Sequence, residues 1–172
     1  MAYTNIISRR LNANHLNLGF SGNAFGEIEL ANTINLIDSP SCIIIDFEGN
    51  GGLNGMLEKN LYQLIERIRT VHSNTPILVV SRFPYQPETH SQKALDRRTE
   101  LREFQRQTVN QFREKGDQSI YFLNGSTLLG DDFSECSVDA VHPTDLGFMR
   151  MADRLTPIIK AMINNEVPNC DE

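Results

Sequence analysis

The chain has 172 residues, 40% of them hydrophobic and 22% charged, with a net charge of −6 and a pI near 5.2. That length suits one domain able to bury roughly 70% of its unfolded surface without disulfides or metal, and the acidic balance argues against a nucleic-acid partner. Three cysteines, Cys42, Cys136 and Cys170, form no disulfide framework, and no apolar run approaches the roughly 20 residues of a membrane span.

The N-terminus, Met1-Ala2-Tyr3-Thr4-Asn5, lacks a basic region followed by an apolar one, so the chain as written is expected to be cytoplasmic. Thr4 to Leu11 is a short helix. His15 to Phe20 reads as a short strand ending at Ser21-Gly22. Ile28 to Ile37 is a helix after a turn. Cys42 to Phe47 is a continuous apolar strand, with Cys42 as a small buried hydrophobe, and it ends at Glu48-Gly49-Asn50-Gly51-Gly52.

Met56 to Val71 places Leu57, Leu61, Leu64, Ile65 and Ile68 three and four apart, the spacing of a helix with one apolar face. Pro76 to Val80 is a third strand, and Phe83 to Ser91 is an irregular loop fit to be a rim or lid. Lys93 to Lys115 is a long charged helix with Leu101, Phe104, Val109 and Phe112 as its inner stripe. Its arginines Arg97, Arg98, Arg102 and Arg106 interleave with Asp96, Glu100 and Glu103, and read as a solvated face. Ile120 to Leu123 is the fourth strand. Thr144 to Ile163 closes the fold with Leu146, Met149, Leu155, Ile158, Ile159 and Met162, leaving Val167 to Glu172 as a frayed tail.

Strands buried on both faces, alternating with helices, predict a doubly wound parallel α/β sheet. Residues 1–165 form the domain and 166–172 the tail. In such sheets ligands bind at the carboxyl ends of the strands.

Three of the loops there carry candidate chemistry. In Val138-Asp139-Ala140-Val141-His142-Pro143, an Asp and a His three apart can pair, the carboxylate holding one imidazole tautomer; equally, Asp139 is a loop residue and His142 an ordinary histidine before a helix. The Asn50 amide can donate to an oxyanion, with glycines admitting substrate to the backbone; equally, it belongs to a Gly-rich turn. In Gly19-Phe20-Ser21-Gly22-Asn23 a glycine N–H can serve an oxyanion, and Ser21 is a nucleophile or a turn residue. His15, His72 and His90 have no ligand spacing, so no metal is expected. No glycine-rich phosphate loop is present, which counts against a flavodoxin-like phosphate binder.

The order of these segments resembles the SGNH (GDSL-type) hydrolases from about Ala2 to Ile163. Asn17 to Asn23 resembles the family's second block, which implies Gly22 as an oxyanion donor. Asp46-Phe47-Glu48-Gly49-Asn50-Gly51 resembles the third, which implies Asn50 as a second donor, with Gly51 where the family often has Asp. Asp139 to Pro143 resembles the fifth, which implies Asp139 and His142 as the acid and base of a triad. The resemblance implies a flavodoxin-like three-layer sandwich and hydrolysis of a small-molecule carboxylic ester through an acyl-enzyme, with no cofactor.

The family's first block, a strand followed by Gly-Asp-Ser or Gly-Thr-Ser, supplies the nucleophile ahead of the helix at Thr4–Leu11. This chain starts beyond it. The sheet is therefore expected to lack a strand between the one ending near Phe20 and Cys42–Phe47. Ser21 is 29 residues before Asn50, a separation that suits the second block better than the first. The rival expectation is a binding module that has lost its serine.

Overall fold

In a computed structural model, which describes residues 2–170, three parallel strands form one sheet: β1 (Ile43–Ile45), β2 (Ile77–Val80) and β3 (Ile120–Leu123), in the order β1-β2-β3. Ile43 pairs with Ile77, and Ile77 with Ile120. The helices are α1 (Tyr3–Leu11), α2 (Ile28–Ile34), α3 (Glu48–Gly51), α4 (Met56–Arg69), α5 (Gln92–Glu114) and α6 (Asp145–Ile163). The expected domain and tail end on Met1, Asp171 and Glu172, which lie outside the described residues. Among the described residues no helix is long and apolar enough to cross a membrane.

Strand alternation sorts the core into two layers. Ile43, Ile45, Ile77, Val79 and Ile120 face α2, α4 and α5. Leu78, Val80 and Leu123 face α1 and α6. Helices on both faces make the three-layer α/β/α sandwich that the sequence implied. The α4 stripe of Leu57, Leu61, Leu64, Ile65 and Ile68 is fully interior, and each such side chain contributes about 1.5–3 kcal/mol. Ser91 caps α5 by accepting from the Ala94 N–H, and Thr144 caps α6 by accepting from the Gly147 N–H. Pro143 stands just outside α6, which starts at Asp145.

Several expectations are corrected. His15–Phe20 is not a strand: Leu16 is 69% and Phe20 50% exposed. An extended segment becomes a strand only through a ladder, and among the described residues this one pairs with no strand of the sheet. β1 is accordingly an edge, paired with β2 alone among the described residues.

Arg98, expected in solvent, is buried, because the inner stripe of α5 runs through Arg98, Leu101, Gln105, Thr108, Val109 and Phe112. Leu146 and Met149 face outward, since the buried face of α6 runs through Gly147, Met151, Ala152, Leu155, Ile158, Ile159 and Met162. Arg10 of α1 lies over that outer face, touching Met149 Sδ and pairing with Asp153. Cys42 is half-buried, and burial pushes its thiol up to about 11. In the tail Val167 is exposed, but Pro168 is buried and Cys170 packs on the α6 core.

Candidate active site

The loop between β3 and α6 is closed on itself. The Thr144 N–H donates to Cys136 O, and the Val138 N–H to His142 O. Ala140 at its tip adopts φ 72°, the left-handed region, a conformation that costs of order 1–3 kcal/mol for a residue with a Cβ. That turn lets Asp139 Oδ1 accept from the backbone N–H of both Val141 (3.1 Å) and His142 (2.7 Å). Asp139 Oδ2 then lies 2.7 Å from His142 Nδ1.

One carboxylate thus fixes both the backbone and the ring of His142. The His142 N–H, with the ring contact second, lowers the Asp139 carboxyl to about 2. The imidazole stays accessible, its side chain 74% exposed, so Nε2 faces outward from the Asp139 contact. Among the described residues no hydroxyl is hydrogen-bonded to it.

Asn50 lies on α3, just past the carboxyl end of β1. Its side-chain amide forms no hydrogen bond among the described residues and is half-buried. The glycines flanking it serve the fold rather than an incoming substrate. A Cβ on Gly51 would come within 2.8 Å of the Phe47 ring, and one on Gly52 within 2.7 Å of Leu101 and 2.8 Å of Glu48 O.

Gly22 sits in an exposed turn, with Ser21 at φ 36° and Gly22 at φ 84°, closed by the Asn23 N–H to Phe20 O. The Gly22 N–H takes no part in that closure. Ser21 shares the exposed turn and makes no hydrogen bond to His142 among the described residues.

The structure joins Asp139 and His142 directly. Gly22 and Asn50 are hydrogen-bonded to neither among the described residues, but their segments meet at the same end of the sheet. Gly26 packs against Phe47, which leads into α3. Tyr85 OH covers Gly49 of α3. The next residue, Gln86, donates its N–H to Ala140 O in the histidine loop. Phe83–Ser91, expected to be irregular, carries a 3-10 turn at Gln86–Thr89. A cavity of about 610 Å³ between Asn35–Pro40 and Val71–Thr75 lies at the opposite, amino end of the strands and has no part in this cluster.

Sequence reasoning missed a set of charged side chains beneath these loops. Glu48, 1% exposed, accepts at Oε2 from the Arg82 N–H (2.9 Å) and from Gln105 Nε2 (2.7 Å). Arg82 Nε is 3.4 Å from Glu48 Oε1, its Nη1 2.5 Å from Glu88 Oε1, and its guanidinium stacks 3.9 Å from the Tyr85 ring centre. Arg98 pairs with Glu88 and donates to Ser126 Oγ, as does Arg102. Burial raises the Glu48 carboxyl, opposed by the Arg82 N–H and guanidinium. The legible signal was the three-and-four spacing of Arg98, Leu101 and Gln105. On the other side of β1, Tyr3 OH donates to Asp46 Oδ2 at 2.8 Å, tying α1 to the end of the strand.

A model of the GDSL-like lipase/acylhydrolase family matches residues 1–160. The chain belongs to that family. Its fold is shared with a protein from Bacteroides ovatus ATCC 8483 designated a GDSL-like lipase: 30% identity, TM-score 0.85, covering 94% of this chain and 47% of that one. A Clostridium thermocellum family 3 carbohydrate esterase matches at 21% identity and TM-score 0.69, over 95% of this chain and 88% of its own. An active-site mutant of a C. thermocellum family two carbohydrate esterase matches at 19% and 0.72, over 94% and 54%. The chain therefore spans about half the length of the B. ovatus protein. No curated protein sequence matches. Membership makes this a hydrolase-type α/β domain by resemblance, and the loops just described are those on which the family resemblance rests.

Proposed function

We propose that this domain hydrolyses small carboxylic esters through an acyl-enzyme, with His142 as general base and Asp139 as its orienter. The observation that carries the reading is the 2.7 Å Asp139–His142 contact on a loop whose backbone the same carboxylate closes. His142 Nε2 takes the proton of a serine hydroxyl as that oxygen bonds to the carbonyl carbon, then returns it to the departing alkoxide. Water repeats the cycle and releases the acid. Asn50 and Gly22 donate to the developing oxyanion.

In this reading the serine is that of the family's first block, ahead of α1. The similarity to two carbohydrate esterases favours O-acylated sugars among the candidate substrates.

The test is turnover of an aryl acetate and of an O-acetylated sugar by two proteins: the 172-residue chain, and the same chain preceded by its in-frame upstream coding sequence. Turnover is expected in the second alone, abolished by His142→Ala and reduced about 10²–10³-fold in kcat by Asn50→Ala. Full activity in His142→Ala sinks the reading. Turnover by the 172-residue chain that Ser21→Ala abolishes moves the nucleophile to Ser21. Inactivity of both proteins, with sugar ester still bound, leaves a binding module.

A further inference from the structure

We propose that Glu48 is the positioning residue for Asn50, clamping α3 from beneath through Arg82 and Gln105. A four-residue helix cannot hold its own place, because nucleating a turn fixes several dihedrals for one hydrogen bond. Here α3 has no side-chain cap at Phe47, and its backbone bonds, Gly51 N–H to Phe47 O and Gly52 N–H to Glu48 O, stay within the turn itself. Asn50 adds no anchor, since its amide is unengaged among the described residues.

Arg97 of α5 donates to the Gly52 carbonyl at the far end of the turn (3.1 Å), and the carboxylate of Glu48 ties down its first residue. Glu48 Oε2 takes one hydrogen bond from the backbone just after β2 and one from the middle of α5, so two separate elements of the sandwich set the height and rotation of the turn. Arg82 is fixed in its place by Glu88 on one side and by the Tyr85 ring on the other. Tyr85 OH in turn lies beside Gly49, where a Cβ would meet it at 3.1 Å.

An apolar side chain at position 48 would fill the space without desolvating a charge. A buried acid is the costlier choice, of the kind kept for fixing one arrangement rather than for stability. The catalytic consequence rests on the reading of Asn50 as an oxyanion donor; the positional claim does not.

The experiment is heteronuclear NMR on the ¹⁵N-labelled chain, with the Asn50 side-chain NH₂ pair assigned by its loss in Asn50→Asp. In the parent that pair should show the positive heteronuclear NOE of a held group. Glu48→Gln should keep the dispersed spectrum of the sandwich while the Asn50 pair shifts and loses its NOE. Glu103→Gln, which alters only exposed contacts with Arg106 and Gln107 on α5, should leave Asn50 unmoved. If Glu48→Gln does not fold, Gln105→Leu decides, since it removes one donor to Glu48 and should shift the same pair. A folded Glu48→Gln whose Asn50 pair superimposes on the parent overturns the proposal, as does an unmoved pair in Gln105→Leu should that variant have to decide. A pair that responds in a protein that cleaves no ester supports the positioning and counts against the esterase reading alone.

Discussion

At the scale of the residue, Asp139 does two things at once: it closes a loop and holds a ring. Its carboxyl is lowered to about 2, first by the His142 N–H. A group whose folded value lies below its ordinary one of about 3.9 favours the closed loop above that ordinary value. The preference fades as pH falls through the folded one. A carboxyl ¹³C titration should place the Asp139 midpoint near 2, with the His142 amide proton moving in parallel. A midpoint near 4 would mean that the loop is open in solution.

Asp139, His142 and Asn50 were named from short spacings and loop composition, which are local information, and Gly22 through the resemblance of its segment to the family's second block. Glu48 and Arg82 were not, because their partners come from α5 and the loop after β2, and nothing local marks a charge as buried.

At the scale of the element, the helices were legible wherever apolar residues kept a three-and-four spacing. Errors arose where charge or exposure broke that rule. Arg98 lies on the buried stripe of α5 yet was assigned to solvent by its charge. Leu146 and Met149 are apolar yet lie off the buried stripe of α6. The strand expected at His15–Phe20 failed for a different reason: a strand exists only with a partner, and periodicity alone does not supply one.

Element junctions also depend on contacts that periodicity hides. A Cβ on Gly125, where β3 ends, would lie 1.7 Å from Ser81 O at the end of β2, backbone against side chain. Gly125→Ala should therefore cost about 3 kcal/mol or more, since overpacking of 1–3 kcal/mol is usual where neighbours can yield. Urea denaturation checks this, and a midpoint unchanged from the parent would show that the two strand ends separate freely. Gly55→Ala is the comparison: nothing lies within 4 Å of its Cβ, and only its φ of 77° opposes the change.

At the scale of the whole molecule, the three-layer arrangement was legible from alternation, and the open side of β1 was implied by the family resemblance. Parallel pairing points alternate N–H groups to opposite sides. Since the Ile43 N–H donates to Pro76 O, the N–H and C=O of Ile44 face the unpaired side. Free backbone groups on an edge flanked by isoleucine invite another strand. Buried groups left unmade cost about 1–3 kcal/mol each, against a total stability of about 5–15 kcal/mol. The 172-residue chain should self-associate with rising concentration in sedimentation velocity, and Ile44→Pro, which removes the outward N–H, should weaken that association. A parent that stays monomeric throughout would show the edge to be covered.

The parallel order has one more consequence, for the chain as it is made. Ile43 finds its partner at Ile77, about 34 residues later, and Ile77 finds Ile120 about 43 residues after that. No hairpin can form the sheet locally. At about 5–20 residues per second on a ribosome, β1 waits about 2–7 s for β2 to be synthesised, and β2 waits about as long again for β3. During that interval the isoleucine run has no ladder at all. The nascent chain is therefore most exposed to chaperones, and to its neighbours on the same message, well before the histidine loop has been translated.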